Sequence, residues 1–157
     1  IDLSEGMIEI GRRKVTEANL DNVISFSTGD CLNLPFDDNS FDCVTVAYGV
    51  RNFEHLDKGY QQMHRVLNNG GMLCVIELST PTSKIIKPLY TFYTHHIIPF
   101  VGRLISKDVR AYSYLPESIA AVPQGNDMLQ LMKNAGFKDC KFHSMTFGTC
   151  TIYTAIK

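Results

Sequence analysis

Apolar side chains recur along the chain with two periods, and the changes of period mark the elements. Over residues 4–19 the spacing is helical, with Met7, Ile8, Ile10, Gly11, Val15 and Ala18 on one side and Ser4 able to cap the first turn. Gly6 and Gly11 weaken that helix. Asp21-Asn22 interrupts it, and residues 23–28 alternate as a strand that ends at Gly29-Asp30-Cys31. Turn-forming residues fill 34–40, and an apolar, β-branched run over 41–48 reads as a buried strand. A helix over 56–67 puts Tyr60, Met63, His64 and Leu67 near one face; Asn68-Asn69-Gly70-Gly71, which tolerates positive φ, is expected to end it. Residues 72–78 form a third apolar strand, which carries Glu77 at its end.

The pattern changes over 79–123, which holds five of the six prolines and four of the seven tyrosines. Its apolar-aromatic stretch 85–101 predicts two or three helices inserted after the third strand. Beyond it, 126–134 reads as a short amphipathic helix ended by Gly136, and 138–146 with 149–156 as two strands joined at Phe147-Gly148. Alternating strand and helix through the first half imply βαβ units and a parallel sheet. The last two strands are joined too tightly for a crossover and must pair antiparallel. The expected fold class is therefore α/β, mostly parallel, with a C-terminal antiparallel hairpin, in one domain spanning 1–157 with a helical insert at about 79–123. Ile1-Asp2-Leu3-Ser4 resembles a strand end running into a helix cap, so the chain reads as one whose N-terminal strand is absent.

Charge and cysteine usage narrow the function classes. Fifteen basic against sixteen acidic residues, with no basic stripe, argue against a nucleic-acid partner. The five cysteines, Cys31, Cys43, Cys74, Cys140 and Cys150, form neither a CxxC nor a Cys/His ligand spacing, so no metal site or disulfide framework is indicated and a cytoplasmic location is expected. No apolar run approaches the roughly 18 residues that span a bilayer.

Chemistry concentrates after the 41–48 strand. In open parallel sheets, ligands bind beyond the carboxyl ends of the strands, which places Tyr48, Arg51 and Asn52 at the mouth of a crevice. Arg51 stays protonated at any relevant pH, so it suits orienting a water or holding an oxyanion, with Asn52 on the other side. The plainer alternative is a bridge from Arg51 to an aspartate such as Asp57, with Asn52 capping the next helix. Asp2 is either a ligand carboxylate at a strand end or a partner of the Ser4 helix start, and Asp30 either a ligand carboxylate or a turn residue. Glu77 is either a site carboxylate or a cap for the insert. His95 and His96 are adjacent and cannot form an i, i+4 metal pair; His96 is the one taken as a substrate contact, against the plainer reading of one core and one surface histidine. Tyr90 and Tyr93, with Phe92 and Phe100, suit an aromatic acceptor cleft, a membrane surface or an ordinary helical core face.

Particular segments carry a family resemblance: Asp2-Leu3-Ser4-Glu5-Gly6-Met7, Asp30 through Phe36, Phe41 through Val46, Gly49-Val50-Arg51-Asn52, His64-Arg65-Val66-Leu67 with Gly70-Gly71, and Ala135-Gly136-Phe137. In order and spacing they resemble class I S-adenosylmethionine-dependent methyltransferases. The Gly-x-Arg-Asn segment, His96-Ile97-Ile98-Pro99, Tyr112-x-Tyr114-Leu115-x-Glu117-Ser118-Ile119 and Thr146-x-Gly148 narrow the resemblance to the ubiquinone/menaquinone biosynthesis C-methyltransferases. The resemblance implies a Rossmann-like sheet, S-adenosyl-L-methionine as cofactor and a polyprenylated quinol, most specifically demethylmenaquinol, as acceptor. It implies Asp2 on the ribose hydroxyls, Asp30 on the adenine amine, the Cys31 backbone N–H on a ring nitrogen, and Ala47 and Tyr48 beside the cofactor. Arg51 and Asn52 become catalytic, and Tyr90, Tyr93 and His96 substrate contacts. Two departures stand out: the family's glycine-rich loop is absent, and Ala47 stands where many relatives carry Ser. A lipid acceptor also implies peripheral contact with the inner face of the membrane, and an open sheet edge implies a homodimer. The rival expectations are a methyltransferase for another phenolic or lipid acceptor and a non-catalytic binding fragment lacking the glycine loop.

Overall fold

The computed structural model describes residues 1–98, 100 and 109–157. Four strands form one sheet in the order β1 (Phe41–Ala47), β2 (Leu67–Leu78), β4 (Cys150–Ile156), β3 (Lys138–Met145). β1 and β2 run parallel with Ala47 opposite Ile76, whereas β2–β4 and β3–β4 are antiparallel. The antiparallel hairpin closes the sheet as the short 146–149 connection requires.

Helix α1 (Glu5–Glu17) starts where Ser4 accepts a hydrogen bond from the Met7 N–H at 3.3 Å. Helix α2 (Leu56–Val66) connects β1 to β2 as a crossover must, and α5 (Asn126–Asn134) precedes the final hairpin. Between them lie α3 (Ile86–Phe92), which continues into a wider π turn at Tyr93–Ile97, and α4 (Val109–Ala121). These are the helices expected of the insert; its positions 99 and 101–108 lie outside the described residues. α2 and α5 bury Tyr60, Met63, Met128 and Met132 against Leu73, Val75, Tyr153 and Ala155 of the sheet. That apolar burial is the main stabilising term for the fold.

Four expectations change. The strand expected over 41–48 forms, but it is not buried: none of the seven residues of β1 is buried, because β1 stands at the sheet edge with β2 as its one neighbour among the described residues. Residues 23–28 form no strand: their one ladder contact is a parallel bridge between Asp2 and Thr28, and Val23 is 73% exposed. A strand requires a neighbour to pair with, and alternation alone does not supply one. Helix α2 ends at Val66, and β2 starts at once with Leu67, because Leu67 is already extended and pairs with Phe41. Asn68 to Gly71 then form an irregularity inside β2, tied down by Asn68 Nδ2 donating to Asp42 Oδ1 at 2.8 Å. The hairpin joint at Phe147-Gly148 is present, but it carries three successive left-handed residues, Thr146, Phe147 and Gly148.

Arg65 fixes the loop ahead of β1. Its guanidinium donates to the carbonyls of Leu34 at 2.8 Å and Phe36 at 2.7 Å and pairs with Asp38 at 2.7 Å. Arg65→Ala is expected to lower stability by about 2 kcal/mol, since it strands two loop carbonyls at once. A urea-unfolding midpoint equal to that of the unaltered protein would contradict this role.

Candidate active site

The carboxyl end of β1 is where the backbone departs from ordinary strand geometry. Tyr48 has φ +56°, a strained value for an aromatic residue, and it is held there by its N–H donating to the Ile76 carbonyl at 2.8 Å. The left-handed residue turns the chain out of the sheet into a single 3-10 turn, Val50–Asn52, in which the Asn52 N–H donates to the Gly49 carbonyl at 3.0 Å. Val50 points into the core and is 1% exposed, so the next residue, Arg51, is carried along the ends of the strands.

Arg51 meets Glu77 there. Nη1 donates to Glu77 Oε1 at 2.6 Å, the Arg51 backbone N–H donates to Oε2 at 3.2 Å, and Nη1 also reaches the Tyr48 carbonyl at 2.7 Å. The side chains are 14% and 2% exposed, so the ion pair is nearly dehydrated. Glu77 further accepts the Leu78 N–H at 2.9 Å, whereas Arg51 Nε is buried without a hydrogen-bond partner among the described residues. The partner of Arg51 is thus Glu77, not Asp57, and the N-cap position of α2 is held by His55, not Asn52. Glu77 is the carboxylate whose place the sequence leaves open between site and cap, and it pairs with Arg51. Its signal was present: one carboxylate in the otherwise apolar run Leu73-Cys74-Val75-Ile76-Glu77-Leu78.

On the N-terminal side, Asp2 and Thr28 are bridged in parallel, with the Gly29 N–H donating to the Asp2 carbonyl at 3.1 Å. Asp2 Oδ1 accepts the Ser4 N–H at 2.8 Å, and Oδ2 makes no hydrogen bond among the described residues. Asp30 Oδ1 accepts the Leu32 N–H at 2.9 Å. Burial, and then the Asp30 charge, push the Cys31 thiol up to about 11, so it stays protonated near neutrality and only its backbone is available as a polar contact. Both aspartates therefore do the local work foreseen for them while still presenting carboxylate at neighbouring chain ends. Ala47 is exposed at the end of β1, and Tyr48 is 44% exposed; the Cys150 thiol beside it, and the more distant Glu77 charge, hold its hydroxyl above the ordinary phenol value.

A cleft of about 610 Å³ opens between α3 with its π turn, α4 and the 122–127 loop. Thr80, Tyr90, Thr94, His95, Ile119 and Gln124 are among its lining residues. Of the expected substrate contacts, Tyr90 lines this cleft, and its hydroxyl is raised by burial. Tyr93 and His96 do not line it: Tyr93 is 51% exposed, and His96 lies against the Phe92 ring at 5.1 Å. His95 is the histidine at the cleft, its Nδ1 3.0 Å from the Thr91 carbonyl. α4 packs on the Val50–Asn52 turn, and Thr80 follows closely on Glu77, so the cleft and the ion pair share one end of the sheet.

Comparisons with known proteins identify the family. Residues 1–157 match the model of the ubiE/COQ5 methyltransferase family. The chain is 50% identical over 156 residues to a demethylmenaquinone methyltransferase of Bacteroides fragilis, covering 99% of this chain and 64% of that protein. It is 38% identical over 156 residues to a ubiquinone/menaquinone biosynthesis C-methyltransferase of Pseudomonas paraeruginosa, covering 99% and 61%. The chain thus spans a little under two thirds of these relatives' length. Among solved structures, the [4+2]-cyclase SpnF superposes with a TM-score of 0.72 at 18% identity, covering 99% of this chain and 64% of that one, which shows a common fold and nothing about chemistry. By its match from end to end, the chain belongs to the ubiE/COQ5 methyltransferase family.

Proposed function

We propose that the protein carrying this chain is an S-adenosyl-L-methionine-dependent C-methyltransferase whose acceptor is a reduced polyprenylated naphthoquinol, converting demethylmenaquinol to menaquinol at the cytoplasmic face of the membrane. The observation that supports this most is the 50% identity to the Bacteroides fragilis demethylmenaquinone methyltransferase across nearly the whole chain, against 38% to the Pseudomonas paraeruginosa enzyme named for both quinones.

The residues present suit the cofactor. Asp2 has a carboxylate oxygen unengaged among the described residues for a ribose diol, Asp30 and the Cys31 backbone suit an amino-purine edge, and Ala47 and Tyr48 are exposed at the end of β1. When bound, the sulfonium supplies an electrophilic methyl group. The remaining tasks fall on the chain. A ring hydroxyl of the acceptor gives up its proton to water, the electron pair released makes the neighbouring ring carbon nucleophilic, and the hydrogen replaced on that carbon leaves as a proton to water as the aromatic quinol is restored. The Arg51 guanidinium stabilises the phenolate charge, with Asn52 as a second donor, and Glu77 keeps the guanidinium in place. Tyr90 and the cleft around it hold the ring and exclude water.

Incubating the full-length protein with methyl-labelled S-adenosylmethionine and a panel of reduced acceptors tests this. Label is expected on a ring carbon of demethylmenaquinol; label on a phenolic oxygen, on a benzoquinol ring in preference, or on a sterol would refute the assignment. Calorimetry that detects no cofactor binding would favour a non-catalytic binding role. Asp2→Asn is expected to raise the cofactor Kd about tenfold or more, the loss of a charged hydrogen-bond acceptor.

A further inference from the structure

The α3–π-turn segment is apolar on more than its inner side. Its positions directed into the protein, Ile86, Tyr90, Thr94 and Ile98, recur every four residues; Thr94 is 5% exposed. The side away from the cleft carries a further apolar row, Ile85 76%, Leu89 66%, Phe92 58%, Tyr93 51%, Ile97 40% and Phe100 64% exposed, whereas Lys87, Thr91 and His95 line the cleft. A surface helix ordinarily carries polar residues on such an outward side. Isolated exposed apolar residues need no explanation, but a continuous aromatic and aliphatic stripe four turns long does.

Charge is segregated in the same part of the chain. Residues 79–116 contain Lys84, Lys87, Arg103, Lys107 and Arg110 against Asp108 alone, a net +4, while the other residues carry ten basic and fifteen acidic side chains, a net −5. Lys84 is exposed at the start of the stripe, whereas Lys87 lines the cleft. The turn at Thr146–Gly148 lies at the end of the sheet from which this segment leaves, because Leu78 pairs with Cys150. It holds Phe147 81% exposed at φ +57°, a second apolar tip fixed outward by strained backbone.

From this juxtaposition we propose that the outward face of the α3–π-turn segment, Ile85 to Phe100, is a docking surface for an anionic lipid bilayer. Apolar side chains enter the interface while Lys84 beside them meets acidic headgroups. Among the described residues no helix is long and apolar enough to cross a membrane, so the segment lies on the bilayer. The cleft on the inner side of the same helix then opens beside the lipid surface, and a polyprenylated acceptor reaches Tyr90 without its tail entering water. The proposal deepens the reading of function above, from which it takes the lipid character of the acceptor.

Flotation of the full-length protein with vesicles tests it. Binding is expected to phosphatidylcholine vesicles containing a third phosphatidylglycerol, weakened by salt and weaker still to phosphatidylcholine alone. Ile85→Glu with Leu89→Glu is expected to lower partitioning about tenfold or more. Cofactor affinity, the thermal unfolding midpoint and transfer to a short-chain, water-soluble naphthoquinol should stay unchanged in that variant. Absence of vesicle binding by the unaltered protein, or binding that the double substitution leaves intact, would overturn the proposal while soluble-acceptor transfer continued to support the enzyme assignment. A dimer in light scattering that the same substitution dissociates would overturn it too, because the stripe would then belong to a second copy. Vesicle binding with no transfer to any naphthoquinol would uphold the surface and remove the acceptor assignment instead. Lys84→Glu, which leaves the apolar stripe whole, is expected to reduce the preference for anionic vesicles alone.

Discussion

Arg51→Lys is expected to lower kcat for methyl transfer about a hundredfold while leaving cofactor affinity within about twofold and stability nearly unaltered. The reasoning rests on what the lysine keeps and loses. An ammonium at this position retains the positive charge that Glu77 needs, but it lacks the planar fork that reaches Glu77 Oε1 and the Tyr48 carbonyl together. Arg51→Ala is the less informative substitution. It leaves a carboxylate that is 2% exposed without its counter-charge, so a stability loss of about 3–5 kcal/mol is expected to accompany any loss of turnover. A lysine variant with normal kcat, or one that loses cofactor affinity and turnover together, would remove Arg51 from the acceptor side of the reaction.

What the sequence made legible is what depends on local pattern. The periods of apolar residues located α1, α2, β1 and the final hairpin, and Ser4 marked the start of α1 through capping chemistry that needs only neighbouring residues. Residues 23–28 were not legible, because strand formation there depends on a neighbour and not on alternation. The same limit hid the partner of Arg51. Asp57 is closer in sequence, whereas Glu77 is 26 residues away and arrives beside Arg51 only once Ala47 and Ile76 are paired in the parallel register. His95 and His96 illustrate a third kind of limit. Periodicity gives their angular separation, but the wide π turn sets the phase, and that phase brings His95 to the cleft while His96 lies against Phe92.

Glu77 provides the sharpest separation of structural from catalytic roles at this site. Glu77→Leu alone is expected to cost about 3–5 kcal/mol, because Arg51 is then a buried guanidinium whose Nη1 keeps only the Tyr48 carbonyl, with Nε already unpartnered. Joining it to Arg51→Met removes both charges, and replacing a buried ion pair by apolar side chains of similar volume is commonly neutral or stabilising, so most of that loss should be regained. If the pair served the fold alone, activity would return with stability. If Arg51 stabilises phenolate charge, the double variant folds, binds cofactor and remains about a hundredfold or more below the unaltered protein in kcat. The measurement is a double-substitution cycle read in two ways on the same four full-length proteins, unfolding free energy and single-turnover methyl transfer. Recovery of both would make Arg51 and Glu77 a structural strut; recovery of stability alone would make Glu77 a positioning residue for a guanidinium that acts on the acceptor.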